Sequence, residues 1–437
     1  MKLLTNLEKK IKNKSALVGI IGLGYVGLPL AVEYAKSGFK VVGIDILKKK
    51  VDLVNSGKSD IDDISPEEVK ILRDAERLEA TNDFSKLNEI DCIAICVPTP
   101  LNKTKDPDVS FILSAANEIK KYQRKGQLIV LESTTYPGTT DELIQPILEE
   151  GGLKAGKDFY LAFSPERVDP GNEHYNTANT PKIVGGIDEI STRIAKLFYE
   201  QIISQIVSVS STRTAEMVKL LENTFRSVNI GLVNEVALMC NKLEIDVWEV
   251  IDAAATKPFG FLKFYPGPGL GGHCIPIDPH YLSWKLKSLN YYARFIELAG
   301  DINSHMPEHV VSLVVNSLNK VKKSIAGSKI LILGIAYKKD ISDVRESPAL
   351  DIIRLLENRG AKVIYHDPFV QSVKLDGKIG KSIALNESAL KKADCVVIVT
   401  DHTQFDYKWI VDKSNLIVDT RNVTGKLKGG KSKIIKI

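Results

Sequence analysis

Little in this chain marks it for an unusual setting. Cysteine is scarce: Cys92, Cys96, Cys240, Cys274 and Cys395 are the only five, an odd number with no CxxC pair. That argues against a disulfide framework, and predicts free, reduced thiols in the cytoplasm. No apolar run reaches the ~20 residues a membrane helix needs. Residues 1–15 are lysine-studded and lack an apolar core segment, so neither a membrane span nor a signal peptide is expected. Charge of one sign is not in excess either. The 59 basic and 54 acidic residues leave +5, too small and dispersed a balance for nucleic acid, although it suits a phosphorylated ligand. What remains is an ordinary globular composition, 44% hydrophobic and 26% charged, in 437 residues. That length allows two or three domains, each with its own core.

The N-terminal pattern is specific. An apolar run, Ala16 to Ile21, leads into Gly22-Leu23-Gly24-Tyr25-Val26-Gly27, then a helical stretch from Leu28 to Ser37, then a second strand from Phe39 to Ile44 ending at Asp45. Strand, glycine turn, helix, strand and acid together are the context a dinucleotide fingerprint requires. The glycines permit a tight turn and close approach of a pyrophosphate to the helix N-terminus. Gly22, Gly24, Tyr25, Val26 and Gly27 are therefore predicted to bind the cofactor. Asp45 is predicted to hold the ribose hydroxyls, and its charge favours NAD over NADP.

Further apolar strands are predicted at Cys92–Val97, Leu128–Glu132, Tyr160–Phe163 and Ile183–Gly185. Ligands bind at the C-terminal ends of such strands. Those ends carry Pro98-Thr99, then Ser133-Thr134-Thr135-Tyr136-Pro137-Gly138, then Ser164-Pro165-Glu166-Arg167. From Thr212 a long helix is predicted, with Glu216, Lys219, Asn223 and Arg226 sharing one face at spacings of three and four. By itself that stripe reads as a solvated face with internal ion pairs.

The stretch Tyr265-Pro266-Gly267-Pro268-Gly269-Leu270-Gly271-Gly272-His273-Cys274 brings bare backbone up to a thiol and an imidazole, with Asp278 four residues on. A thiolate is a strong nucleophile where its surroundings favour it. A tight loop with one buried cysteine explains the stretch equally well. Two more helices are expected, Tyr281–Lys287 and Tyr291–Leu318. A second α/β alternation follows, with strands at Lys329–Ile335, Lys362–Tyr365, Cys395–Thr400 and Leu416–Asp419. It lacks a GxGxxG turn; its first strand runs instead into the charged loop Tyr337–Pro348, which could hold a diphosphate by charge and a helix N-terminus but by itself reads as a solvated loop. The lysine-rich tail from Lys426 reads as a frayed end.

Taken in order, Gly22–Gly27 with Asp45, Ser133–Gly138, Ser164–Glu166, Lys219 with Asn223, Gly271–Asp278 and Tyr337–Pro348 resemble one family over almost the whole chain. It is the nucleotide-sugar 6-dehydrogenases, the UDP-glucose/UDP-N-acetylhexosamine dehydrogenase family. The resemblance implies an α/β fold of two Rossmann-like doubly wound domains joined by a central helical segment with one long helix. The boundaries expected are an NAD-binding domain at 1–210, a central helical dimerisation domain carrying the catalytic loop at 211–312, and a UDP-sugar-binding domain at 313–437. It implies a homodimer, a UDP-sugar substrate and no metal.

The implied chemistry is a four-electron oxidation of C6 from alcohol to carboxylate with two NAD⁺, through a thiohemiacetal and a thioester on Cys274. Lys219 and Asn223 would stabilise the oxyanion, Asp278 would act on the water or the lysine, and Glu166 with Thr134 would move protons. The same resemblance puts Pro98, Thr99, Thr134 and Arg345 at the cofactor. It puts Glu166, Arg167, Lys219, Asn223, Arg226, Tyr265, Gly269, Gly271 and Lys338 at the substrate. Ser164–Arg167 and Gly272–Pro279 match the N-acetylhexosamine branch, and Phe264–Leu270 with Asp169–Asn172 look most like enzymes acting on UDP-N-acetylglucosamine. UDP-N-acetylmannosamine and UDP-glucose are the alternative substrates. An inactive nucleotide-sugar-binding protein and an alcohol dehydrogenase that stops at the aldehyde are the alternatives of another kind.

Overall fold

A computed structural model of the chain describes residues 2–61, 64–102, 106–168, 174–427, 429–430 and 433–437. Two compact units are present. The first takes the residues up to Glu222 together with His280–Tyr291, and the second takes Asn223–Pro279 together with Tyr292–Ile437. Among the described residues no helix is long and apolar enough to cross a membrane.

The first unit is built on eight strands: β1 (Leu17–Ile21), β2 (Lys40–Ile44), β3 (Leu78–Thr81), β4 (Cys92–Ile95), β5 (Leu128–Leu131), β6 (Tyr160–Phe163), β7 (Lys182–Gly186) and β8 (Ile206–Ser208). Their order is β3-β2-β1-β4-β5-β6-β7-β8. The pairs are parallel except β6 with β7, which runs antiparallel. Helices cover both faces, so the central strands are apolar on both sides. In β4, Cys92 and Ala94 join one core while Ile93 and Ile95 join the other. This is why the strands were legible as continuous apolar runs. The short strands β3 and β8 were not anticipated: β3 alternates buried and exposed positions, and β8 is largely exposed.

In the second unit β9 (Lys329–Leu333), β10 (Lys362–His366), β11 (Ser372–Leu375), β12 (Lys378–Lys381), β13 (Cys395–Ile398), β14 (Ile417–Asp419) and β15 (Ile434–Lys436) follow in chain order. Five of them form a parallel sheet, β10-β9-β13-β14-β15, and β11 with β12 makes an antiparallel hairpin. The end of the chain corrects one expectation. Beyond Lys426 it is not frayed, because β15 pairs in parallel with β14 and Ile437 is buried; Lys428, Lys431 and Ser432 lie outside the described residues. The long helix spans Thr212–Leu243, and the two shorter predicted helices appear as Asp278–Lys287 and Arg294–Lys320.

Candidate active site

In the first unit the glycine turn lies where the strand order reverses, between β1 and β4. Gly22 has φ +95°, a left-handed conformation that favours glycine, and a Cβ there would stand 2.7 Å from the Cys96 carbonyl oxygen. A Cβ on Gly27 would meet the Gly22 carbonyl oxygen at 1.8 Å, so the helix Gly27–Lys36 can start only if that residue is glycine. A Cβ on Gly24 would have nothing within 4 Å. The open side of the turn thus faces space at a helix N-terminus, the cradle a pyrophosphate needs. Asp45, at the end of β2, accepts from the Leu23 amide at 2.8 Å through one oxygen and from the Leu47 amide at 2.8 Å through the other. It braces the turn, and each oxygen keeps a lone pair for a ribose hydroxyl. Tyr25 is exposed and Val26 half-buried on the same turn. These residues fit NAD.

Neighbouring strand ends supply the other predicted groups. Thr99 is buried beside exposed Pro98, and its carbonyl accepts from the Tyr281 hydroxyl at 2.5 Å. Half-buried Thr134 sits on a loop held at both ends. Ser133 Oγ donates to Val97 O at 2.8 Å, and Glu216 accepts from the Gly138 amide at 2.7 Å and from Thr140. Glu166 Oε1 accepts from the Arg167 and Val168 amides, both at 2.7 Å. Arg167 forks onto Glu222 at 3.2 and 2.6 Å and donates to Pro181 O at 2.5 Å. Residues Asp169–Asn172, part of the sequence argument for the sugar, lie outside the described residues.

The polar stripe of the long helix is not a solvated face. Glu216, Lys219 and Asn223 are 0%, 8% and 6% exposed, and only Arg226 faces outward. Helical spacing told which residues share a face but not which face is covered, so the ion-pair reading is corrected. Buried polar groups of this kind need partners. Glu216 has them in the Thr134 loop, though burial pushes its carboxyl up to about 7 against the hydrogen bonds from Thr140 and Gly138.

In the second unit the Cys274 loop is shaped from both sides. The Gly267 amide donates to Asn234 Oδ1 at 2.9 Å, and Asn234 Nδ2 donates to Asn303 Oδ1 at 2.8 Å, which moors the loop to two helices. A Cβ on Gly271 would stand 2.5 Å from Tyr337 Cβ, and a Cβ on Gly272 would stand 2.8 Å from the Tyr337 ring. The Gly272 amide donates to Arg345 O at 2.9 Å. The Cys274 loop and the charged loop Tyr337–Pro348 are therefore packed closely against each other, a contact only glycine allows. Gly269, at φ +133°, lies against Pro348.

Cys274 is exposed, whereas the other four cysteines are buried. Its carbonyl accepts from the Ile277 and Asp278 amides at 3.1 and 2.8 Å, a turn that starts the helix Asp278–Lys287. Asp278 is buried, and Asn223 Nδ2 donates to its Oδ2 at 2.5 Å. His273 is half-buried. Arg345 grips Asp343 at 2.9 and 2.6 Å, and Lys338 is half-buried on the same loop. Tyr265 is exposed, donates to Asp252 at 2.6 Å, and lies against Trp248. The Tyr337–Pro348 loop has its own brace: Asp367 accepts from the Ile335 and Ala336 amides at 2.7 and 3.0 Å, as Asp45 does for the glycine turn.

Sequence reasoning passed over Lys182, Glu132 and Tyr199, a buried cluster in the first unit. Lys182 Nζ lies 2.8 Å from Glu132 Oε2, and the Tyr199 hydroxyl donates to Glu132 Oε1. The available signal was a charge abutting each of two apolar strand runs.

Comparison with known proteins agrees with this geometry. Residues 16–203 match the NAD binding domain, 213–305 the central domain and 331–426 the UDP binding domain of the UDP-glucose/GDP-mannose dehydrogenase family. A UDP-N-acetyl-D-glucosamine 6-dehydrogenase of Salmonella typhi is 36% identical over 390 residues, 89% of this chain and 90% of that one. A UDP-N-acetyl-D-mannosamine dehydrogenase of Pyrococcus horikoshii is 36% identical over 415 residues, 93% of this chain and 95% of that one. The solved structure of UDP-D-ManNAc dehydrogenase from Pyrococcus horikoshii matches with TM-score 0.87 at 35% identity, covering 96% of this chain and 99% of that one. The chain belongs to the UDP-glucose/GDP-mannose dehydrogenase family and is an NAD-dependent UDP-sugar dehydrogenase acting on a CH–OH group.

Proposed function

We propose that this enzyme oxidises C6 of a UDP-N-acetylhexosamine, UDP-N-acetylglucosamine in particular, from alcohol to carboxylate with Cys274 as covalent nucleophile. The observation that carries this reading is the Asn223–Asp278 hydrogen bond, which ties the turn beginning at exposed Cys274 to the buried stripe of the long helix. Bound NAD⁺ supplies the hydride acceptor, one molecule for each two-electron step. Gly22, Gly24, Tyr25, Val26, Gly27, Asp45, Pro98, Thr99 and Arg345 are the residues we assign to holding it.

Glu166 takes the C6 hydroxyl proton in the first oxidation, with the Thr134 hydroxyl as its relay. The Cys274 sulfur then adds to the aldehyde carbon, and Lys219 and Asn223 are the groups we assign to stabilising the resulting thiohemiacetal oxygen. After the second oxidation a water molecule opens the thioester, with Asp278 as the group that acts on it, and releases the carboxylate and the Cys274 thiol. Cysteine suits both halves, since a thioester hydrolyses readily. Arg167, Arg226, Tyr265, Gly269, Gly271 and Lys338 are assigned to the substrate. An enzyme that needs its thiol reduced belongs in the cytoplasm.

UDP-N-acetylmannosamine is the second reading, because the Salmonella and Pyrococcus relatives named for the two epimers are equally similar, at 36%. Turnover of UDP-N-acetylglucosamine, UDP-N-acetylmannosamine and UDP-glucose, with NADH counted per sugar, tests both. Two NADH per UDP-N-acetylglucosamine is expected. A preference for another sugar ends the substrate reading, and one NADH per sugar ends the four-electron reading.

We retain the division at 1–210, 211–312 and 313–437 and propose a homodimer. Phe225, Leu232, Met239 and Leu243 recur along one face of the long helix, and all are exposed, as are Phe295 and Leu298. A second copy of the same helix would cover such a stripe. Light scattering at the monomer mass would remove this reading.

A further inference from the structure

The buried cluster around Lys182 reaches one of the groups assigned to proton transfer. Lys182 opens β7 and is 4% exposed. Its Nζ lies 2.8 Å from Glu132 Oε2, 3.7 Å from Glu166 Oε2 and 3.4 Å from Pro165 O, and sits over the Tyr199 ring at 5.0 Å. The strand register explains the arrangement. β6 and β7 pair antiparallel with Ala162 opposite Gly186 and Phe163 opposite Gly185. Continued past the end of β6, that register brings position 166 level with position 182. Glu132 follows directly on β5, the other neighbour of β6. One cation therefore stands between two carboxylates.

The two carboxylates are not equivalent. Glu132 is 1% exposed and has both oxygens engaged, one by Lys182 and one by the Tyr199 hydroxyl. Glu166 is half-buried; two amides hold its Oε1, and its Oε2 is turned toward Lys182. We propose that Lys182 is a positioning residue for the reaction: anchored by Glu132, it keeps the Glu166 carboxylate ionised and aimed, ready to receive a proton. This rests on the reading of Glu166 as a proton-transfer group.

The other charges around the pair fit that role. Lys219 on the long helix is a second cation acting on Glu166, while Arg167 is turned away onto Glu222. Burial pushes the Glu166 carboxyl up, but Lys182, the Val168 and Arg167 amides and Lys219 outweigh it and hold it below the ordinary value. Burial lowers Lys182, yet Glu132 and Glu166 carry it above an ordinary lysine. Cys96, Tyr199 and Tyr34 are each pushed well up by burial, so none of them supplies a competing anion.

The test is the pH dependence of kcat/KM in the full-length enzyme with NAD⁺ and each UDP-N-acetylhexosamine. The variants are Glu166→Gln, Lys182→Arg, and a double variant, Lys182→Met with Glu132→Gln. The double variant removes the buried ion pair as a unit, so no lone charge is left behind, while still stripping Glu166 of its cation. Its acidic limb is expected to move up by about one pH unit, a roughly tenfold loss on the acidic side of both limbs that closes as the pH rises above them. Lys182→Arg returns the limb toward wild type. A loss equal at every pH marks a purely structural role and overturns the proposal. An impaired Glu166→Gln beside an unmoved limb overturns the role of Lys182 alone, and a fully active Glu166→Gln overturns the Glu166 reading as well. If circular dichroism shows the double variant unfolded, Glu132→Gln alone decides. Lys182 then serves Glu166 only, so the limb moves to lower pH, and an unchanged limb overturns the proposal.

Discussion

Glu216 Oε1 accepts two hydrogen bonds from Thr140, one from its amide at 2.9 Å and one from its hydroxyl at 2.7 Å. The carboxyl that pins the Thr134 loop is thus wholly buried. Burial raises it to about 7, above the ordinary glutamate value of 4.5, so the folded state binds a proton there that the unfolded state has lost. Its contribution to stability is present below about pH 4.5 and is lost as the pH rises through about 7, a loss of about 3 kcal/mol. Glu216→Gln carries no such titration. The gap in unfolding free energy between wild type and variant should move in the variant's favour by a few kcal/mol from pH 5 to pH 8, as denaturant titration would show. A constant gap would contradict the assignment.

Asp278 accepts a hydrogen bond from Asn223 Nδ2 of the long helix at 2.5 Å. Asp278→Asn keeps the size but removes the charge available to act on water. Turnover should fall by about 10²- to 10³-fold, and the block should come at hydrolysis. Rapid mixing is expected to give a burst of NADH, and intact-protein mass spectrometry a sugar adduct on Cys274. Loss of the burst together with turnover would place Asp278 earlier in the sequence.

The second and third glycines of the first turn should fail differently. Gly27→Ala drives a methyl into a backbone carbonyl that cannot yield, at 1.8 Å, and should cost about 3 kcal/mol or more. Gly24→Ala meets no protein atom within 4 Å. It should unfold at the wild-type temperature while its KM for NAD⁺ rises at least about tenfold, since the methyl occupies the pyrophosphate's approach. Thermal melts beside NAD⁺ titrations separate the two. A Gly24→Ala enzyme with unchanged KM would mean the cofactor does not lie over this turn.

Several of these features are local in the chain. The glycine turn and Asp45 could be read from linear spacing, because a tight turn, a helix start and a strand end each depend on residues a few positions apart. The central strands were equally plain, since a strand covered on both faces must be apolar throughout. Likewise the glycine run through Gly271 and Gly272 announced a close approach to bare backbone, read there as a ligand's, whereas Tyr337 is what lies against it.

Tertiary structure alone decided the rest. Helical periodicity grouped Glu216, Lys219 and Asn223 but carried no information about what covers that face. The pairing of Lys182 with Glu132 joins residues 50 positions apart, and its link to Glu166 depends on β7 turning antiparallel to β6. β15 became a strand because β14 offered an open edge, not because of its lysine-rich surroundings. Composition and short-range pattern determine where chain reversals and apolar strands occur. Which charges end up sharing one buried space follows from strand order and register, which are settled by packing across the whole sheet.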